Sequence, residues 1–193
     1  MSQQLSLMGF DSAPTPTDRL FLAIFPDLHA ATSIGRLAQH LCDDHRLRAK
    51  PLAADRLHVT LHHLGDYVGL RQDIVDLAVS AATGIKSPSF DVEFDRVMSF
   101  KRRHNAPLVL CGGDGVAALE SFQRDLSNAI HKVGLGAKAE QRFKPHVTLL
   151  YDDQSVVEHA VEPIGWTVHE FVLVHSLLGQ TRHIPLARWK LRR

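Results

Sequence analysis

The chain has 193 residues, of which 45% are hydrophobic and 22% charged, and its formal net charge is +1. This composition is typical of a globular domain with a sizeable core, and the balanced charge argues against binding to extended duplex nucleic acid. Two cysteines, Cys42 and Cys111, are too few for a disulfide framework or a paired-cysteine zinc site, which fits a reducing compartment. The sequence has no signal-peptide pattern and no run of roughly 18 apolar residues. We therefore expect a soluble, cytoplasmic protein with no membrane partner.

Residues 1–17 contain Ser, Gln and two prolines without a periodic hydrophobic pattern, which predicts a flexible leader ahead of one domain over 18–193. Within the leader, the stretch Gln-Leu-Ser-Leu-Met-Gly-Phe at 4–10 resembles the short peptide by which bacterial replication and repair proteins bind the sliding clamp. Peptides this short often match by chance, so weak clamp binding is a secondary hypothesis.

From about Asp18 onward the hydrophobic pattern predicts strands alternating with helices. The predicted elements in chain order are a buried strand at 20–25, a helix at 28–47, a strand at 57–64, a helix at about 70–81, strands at 90–95 and 108–111, a helix at 116–133, and strands at 143–151, at 167–177 and near Trp189. This order is a loose internal repeat. It predicts two lobes whose sheets face a central cleft, with helices on the outside, as an α+β or α/β mixture.

The strands at 57–64 and 143–151 contain the same four residues, His-Val-Thr-Leu, about half a chain length apart. Side chains alternate along a strand, so His58 and Thr60 project from one face while their apolar neighbours anchor the other. The same reasoning holds for His146 and Thr148. One copy per half predicts that the two polar pairs face each other across the cleft, where a small anion such as a phosphodiester would fit.

Two histidines and two threonines can supply every group that phosphodiester cleavage needs, namely a base, an acid and donors to the phosphoryl oxygens. The unperturbed histidine pKa of about 6.5 lets one imidazole be neutral while the other is protonated. No metal ion or other cofactor is then required. A single histidine on an apolar strand is more often a hydrogen-bonded part of the scaffold, but two matched motifs favour a catalytic role.

Both motifs resemble those of the 2H phosphoesterase superfamily. The flanking residues at 56–65 and 143–149 resemble its bacterial RNA 2′,3′-cyclic phosphodiesterase branch, historically called 2′-5′ RNA ligase. The resemblance covers most of the chain, with less specific similarity at 19–26 and 174–180. It implies an α+β, pseudo-duplicated, bilobal fold of two antiparallel-rich sheets around the cleft, and a monomer that acts on RNA 3′ ends or small cyclic nucleotides.

The resemblance also implies a reaction, in which a 2′,3′-cyclic phosphate is opened to a 2′-phosphate. His146 would activate water, His58 would protonate the departing 3′-oxygen, and Thr60 and Thr148 would hold phosphate oxygens. Because the reverse reaction exchanges acid and base, the assignment of the two histidines stays open. Two alternatives stay open as well: a 2′-5′ RNA ligase that joins RNA ends, and a non-catalytic nucleotide-binding module of the same fold.

One position departs from the family pattern. Many members have an arginine shortly after the second motif, where this chain has Tyr151. Tyr151 could stack or donate a hydrogen bond instead, or the positive charge could come from Arg102 and Arg103 in the loop before the 108–111 strand, or from Lys144 beside the motif. For each basic residue, a solvated surface position is the alternative.

Two further side chains are candidates for substrate contacts. Phe25, at the end of the first strand, could stack on a base, although a core position is the alternative. His62 lies on the same strand face as His58 and Thr60, so it could line the cleft or bind a phosphate oxygen, although a local structural role is the alternative. Two histidines four residues apart on a strand lie roughly 13 Å from each other, so His58 and His62 could not share a metal ion.

Overall fold

Eight strands and three helices make up the described part of the chain, which is residues 14–135 and 143–192 of a computed structural model. The strands are β1 (Asp18–Ile24), β2 (Val59–Tyr67), β3 (Phe90–Ser99), β4 (Ala106–Cys111), β5 (His146–Asp152), β6 (His159–Val168), β7 (Glu170–Leu177) and β8 (Arg182–Lys190). The helices are α1 (Leu28–His45), α2 (Gln72–Thr83) and α3 (Ala117–Lys132), with short 3₁₀ turns at Ala54–Arg56 and Asp114–Val116.

All eight strands join in one antiparallel sheet with the order β6-β3-β4-β5-β2-β1-β7-β8. The two motif strands, β2 and β5, are neighbours at its centre, and within the residues that the structure describes they pair only through Val59 and Val147. The sheet therefore consists of two four-stranded halves joined at this pair. The predicted α+β fold with antiparallel sheets is confirmed, and the two predicted sheets are halves of a continuous one.

The main core lies on one face of this sheet. Leu20, Leu22 and Ile24 of β1 have no exposed surface, and they belong to the same cluster as Ile34 of α1 and Leu126 of α3. The helices thus cover this face, as predicted. The opposite face of β1 belongs to a separate, smaller apolar cluster of Phe21, Ala23, Val172 and Val174, against which Phe25 packs.

Helix α1 begins and ends at residues suited to those positions. The Asp27 carboxylate accepts a hydrogen bond of 2.8 Å from the backbone N–H of Ala30, which satisfies one of the free donors of the first turn. At the other end Arg46 adopts a left-handed conformation with φ of 54°, and its N–H bonds back to helix carbonyls. The helix therefore ends two residues before the predicted limit at Leu47.

Strand β6 was not predicted from the sequence, and the segment predicted as one strand at 167–177 is divided at His169 between β6 and β7. Pro163 and Gly165 interrupt the alternating pattern of β6, because proline lacks an N–H donor and glycine has no side chain to pack. Gly165 has a packing reason. A Cβ atom at this position would lie 2.9 Å from the carbonyl oxygen of Val92 on β3.

The predicted leader at 1–17 overlaps the folded domain at its last residue. Thr17 is already part of the fold, because its N–H donates to the Tyr67 carbonyl at 2.8 Å and its own carbonyl accepts from Leu178 at 2.8 Å. The sliding-clamp hypothesis concerns residues 4–10, which lie outside the described residues.

Within the described ranges, no helix combines the length and the apolar character needed to cross a membrane.

We expect Leu22→Ala to lower the free energy of unfolding by about 2–5 kcal/mol, because it opens a cavity under the central part of the sheet. Leu28→Ala is the matched control, since Leu28 is 85% exposed on α1 and its truncation leaves no cavity. Urea unfolding of both variants measures the difference. Equal stabilities for the two variants would contradict the assignment of Leu22 to the core.

Candidate active site

The pairing of Val59 with Val147 places the motif side chains on one face of the sheet. Both valines are fully buried on the helix side. Because side chains alternate along each strand, the flanking residues project from the other face. These residues are Thr60 on β2, His58 directly before β2, and His146 and Thr148 on β5; all four are half-buried. The antiparallel direction of the strands turns His58 toward Thr148 and Thr60 toward His146. The structure therefore brings the four predicted residues together.

Each motif strand contains a β-bulge directly after its threonine. On β2, Thr60 and His62 face consecutive residues of β1, so Leu61 is the extra residue. On β5, Thr148 and Leu150 face consecutive residues of β4, so Leu149 is the extra one. A bulge reverses the alternation beyond it. The polar pair of each motif therefore lies on the sheet face opposite the helices, which we call the cleft face. The residue after each bulge turns back toward the core.

His62 demonstrates the effect of the bulge, and its predicted position beside His58 is wrong. Its Nδ1 lies 3.0 Å from the Ser127 hydroxyl on α3, and its ring lies 5.4 Å from that of His131. The Gln123 side chain supports the same region by donating to the Leu61 carbonyl at 3.1 Å. Burial lowers the pKa of His62 to about 4. His62 thus belongs to the packing between β2 and α3, away from the cleft.

Both cleft histidines are held by the same backbone contact. The Nδ1 of His58 lies 2.7 Å from the Arg56 carbonyl oxygen, and the Nδ1 of His146 lies 2.7 Å from the Lys144 carbonyl oxygen. A carbonyl oxygen can only accept, so Nδ1 carries the proton in each ring. In the neutral imidazole, Nε2 is then the unprotonated nitrogen. Each histidine can therefore take up or release a proton at Nε2.

The surroundings of His58 are apolar and enclosed. Its ring stacks on Phe21 with centroids 5.0 Å apart, Phe25 lies 5.9 Å away, and the edge of His183 lies at 5.2 Å. Burial is the main cause that lowers the pKa of His58 to about 4, and the hydrogen bond to the Arg56 carbonyl opposes it only in part. Repulsion from the Arg56 charge, and from His183 and His146 when they are protonated, lowers this pKa further. The His58 imidazole is therefore neutral near pH 7 when no ligand is bound.

His146 occupies a related but different environment. Its ring meets Phe100 edge-on at 4.9 Å, and the Lys144 ammonium lies 5.3 Å from the centre of the Phe100 ring. Burial lowers the pKa of His146, and the charge of Lys144 adds to this effect. The charge of Lys144 thus acts on His146, whereas the charge of Arg56 acts on His58.

The other residues predicted to contact the substrate differ in their burial and in their place in the fold. Phe25 is half-buried and packs toward His58. Tyr151 follows the β5 bulge on the cleft side, with 41% of its surface exposed. Arg102 and Arg103 are exposed in the β3–β4 loop, which follows Phe100.

Two residues next to His58 were not predicted as site residues. His183 comes from β8, and its ring lies 5.2 Å from that of His58 and 5.5 Å from that of Phe21. A lone histidine without a motif offers no sequence signal for this position. Arg56 had a weak signal, because it is a basic residue only two positions before His58 in the sequence.

Comparison with known proteins shows similarity along most of the chain. The family model described as the 2'-5' RNA ligase superfamily matches residues 5–180. The RNA 2',3'-cyclic phosphodiesterase of Escherichia coli (strain K12) is 29% identical over 149 residues, which are 74% of this chain and 80% of that protein. The crystal structure of E. coli LigT in apo form has a TM-score of 0.71 at 27% identity and covers 93% of this chain and 100% of its own. The crystal structure of E. coli LigT complexed with 3'-AMP has a TM-score of 0.65 at 27% identity and covers 92% of this chain and 99% of its own.

We expect the imidazole of His58 to remain neutral in the ligand-free protein down to about pH 4, because protonation would put a cation into an enclosed site. The unfolded chain takes up this proton near pH 6.5. Between these two values the unfolded state binds more protons, so this group lowers the free energy of unfolding as the pH falls from about 6.5 to about 4.

An NMR titration of the histidine ring resonances measures this pKa, and the spectrum of His58→Asn identifies the resonance of His58. A His58 resonance that titrates at the ordinary histidine value or above, without ligand, would contradict the enclosed site.

Proposed function

Because the chain belongs to the 2'-5' RNA ligase superfamily, we propose that it is a phosphodiesterase that opens 2′,3′-cyclic phosphates at the ends of RNA or of nucleotides and leaves 2′-phosphates. The observation that carries this proposal is the matched pair of imidazoles on the cleft face, each held at Nδ1 by a backbone carbonyl. The similarity to E. coli RNA 2',3'-cyclic phosphodiesterase supports the substrate class. The E. coli LigT complex with 3'-AMP supports a nucleotide as the ligand.

The reaction needs one proton removed and one delivered. Nε2 of His146 takes a proton from water, and the water oxygen forms a bond to phosphorus. The bond from phosphorus to the 3′-oxygen breaks, and Nε2–H of His58 protonates that oxygen. The hydroxyls of Thr60 and Thr148 donate hydrogen bonds to the two non-bridging oxygens, where negative charge accumulates. Proton exchange with solvent then restores both imidazoles.

His58 must be protonated before it can act as the acid, and the substrate provides the reason for protonation. In the free protein its pKa is lowered to about 4 by burial. A bound phosphodiester places a negative charge beside the ring, and an opposite charge at short distance favours the imidazolium. Substrate binding and protonation of His58 are therefore coupled, so a bound phosphate raises the fraction of His58 that can act as the acid.

The other predicted residues fit supporting roles in this proposal. Phe25 presents an aromatic face beside His58 on which a base can stack. Lys144 lies beside Phe100 and His146, and Tyr151 follows on the same strand. These two residues and the exposed Arg102 and Arg103 of the β3–β4 loop are the candidates for contacts with further phosphate or ribose groups of an RNA end. Both histidines come from one chain, so a monomer is sufficient. Both cysteines are free and buried, which suits a reducing cytoplasm.

We expect His58→Ala and His146→Ala each to reduce hydrolysis of a nucleoside 2′,3′-cyclic phosphate by about a hundredfold or more, because each removes an acid or a base. Thr60→Ala should have a smaller effect, since it removes one neutral donor. His40→Ala, an exposed histidine of α1, is the matched control and should not change the rate. Steady-state kcat measures these effects. Wild-type turnover by both motif variants would exclude this mechanism, and a joined 2′,5′ linkage as the main product would indicate a ligase.

We expect a chelator such as EDTA to leave kcat unchanged, because two imidazoles and two hydroxyls provide every group that the proposed steps use. The measurement compares hydrolysis by protein dialysed against EDTA with hydrolysis by protein supplemented with Mg²⁺, Mn²⁺ or Zn²⁺. Loss of activity that a metal restores would overturn the metal-independent part of the proposal.

A further inference from the structure

Arg56 and His183 lie next to His58, and neither has a role in the reaction as described above. Arg56 ends the 3₁₀ turn before β2, and its backbone carbonyl holds the His58 ring. His183 projects from β8, so that its ring meets the rings of His58 and Phe21 edge-on. The two residues come from distant parts of the chain and converge on one imidazole.

Both side chains contain a buried nitrogen without a hydrogen-bond partner. Nε of Arg56 and Nδ1 of His183 are enclosed, and neither meets an acceptor or donor in the structure as described. Buried polar groups of this kind are normally satisfied, and a guanidinium in particular needs an acceptor. Asp55 is close enough to raise the pKa of His183, although burial and the charge of Arg56 outweigh this effect and lower it. Arg56 and His183 are each only half-buried, so an anion that contacts the exposed part of this cluster would supply an acceptor.

The cluster lies on one side of the reaction centre. The charge of Arg56 acts on His58 and on His183, while the charge that acts on His146 is that of Lys144. In the proposed reaction, His58 protonates the 3′-oxygen, so the ribose of the terminal nucleotide lies on the His58 side. The next anionic group along an RNA chain is the phosphate attached to the 5′-carbon of that ribose. It is therefore carried toward Arg56 and His183.

We infer that Arg56 and His183 form a subsite for the 5′-phosphate of the terminal nucleotide, so that the protein distinguishes an RNA end from a nucleoside cyclic phosphate. This inference rests on the proposed function, because that function orients the ribose. Arg56 supplies a planar, permanently charged fork for the phosphate oxygens, and His183 supplies a second nitrogen. The subsite places a guanidinium on the His58 side of the reaction centre.

Binding of a phosphate at this subsite also affects the protonation of His58, which is the acid of the proposed reaction. The positive charge of Arg56 disfavours a second positive charge on His58. A phosphate bound to Arg56 cancels part of that repulsion and makes the His58 imidazolium easier to form. The 5′-phosphate therefore contributes to catalysis as well as to binding.

Binding of reaction products tests the subsite without requiring turnover. Adenosine 2′,5′-bisphosphate and adenosine 2′-monophosphate differ only in the 5′-phosphate, and calorimetry at one fixed ionic strength gives both dissociation constants. We expect the wild type to bind the bisphosphate about tenfold more tightly or better, as for one charge-assisted contact. Arg56→Met should remove this preference while keeping the unbranched part of the side chain as far as the Nε position, and His183→Gln should reduce it. Arg36→Met, an exposed arginine of α1, is the matched control and should retain it.

Three results would overturn the subsite: no preference in the wild type, an unchanged preference in Arg56→Met, or equal weakening of both ligands in that variant. The last result would assign Arg56 to the reacting phosphate. If Arg56→Met does not fold, Arg56→Lys replaces it and should lose most of the preference, because it keeps the charge but not the fork. Absence of cyclic phosphate hydrolysis together with a retained bisphosphate preference would refute the proposed function and leave the anion subsite standing.

Discussion

Val59 and Val147 pair at the centre of the sheet, and both side chains are buried against the helices. Among the described residues this is the one strand pair that joins the two halves, so it sets how the motif strands lie relative to each other. With the valines turned toward the core, His58 and His146 have to project from the opposite face. The burial of two apolar side chains, which is favourable in itself, therefore keeps two titratable rings together in the cleft.

Local structure then repeats in both motifs. Each histidine donates from Nδ1 to the carbonyl two residues before it, and each threonine is followed by a bulged leucine. The repeat makes the two rings equivalent in their tautomer. Their surroundings make them different, since Arg56 and His183 lie beside His58 and Lys144 lies beside His146. Two residues with the same local geometry can thus take opposite roles in proton transfer.

Most of the regular structure could be predicted from hydrophobic periodicity, because the strands and helices that carry the core have clear apolar faces. Strand β6 could not, since Pro163 and Gly165 remove the pattern and its position depends on pairing with β3. The position of His62 was wrong for a related reason. A bulge is a mismatch between two strands, and strict alternation within one strand does not reveal it. His183 was not predicted as a site residue because the residues around it in the sequence form no recognisable motif.

The sequence by itself determined the chemistry of this protein: two His-Val-Thr-Leu segments, apolar on one side and polar on the other, one in each half of the chain. These properties are local, because alternation and burial preference act over a few residues. The tertiary structure alone decided which faces meet, where alternation is reversed, and which charges surround each imidazole. Those features depend on strand pairing and burial between residues far apart in the chain. They in turn set the pKa values of the two histidines and the side of the cleft on which a second anion fits.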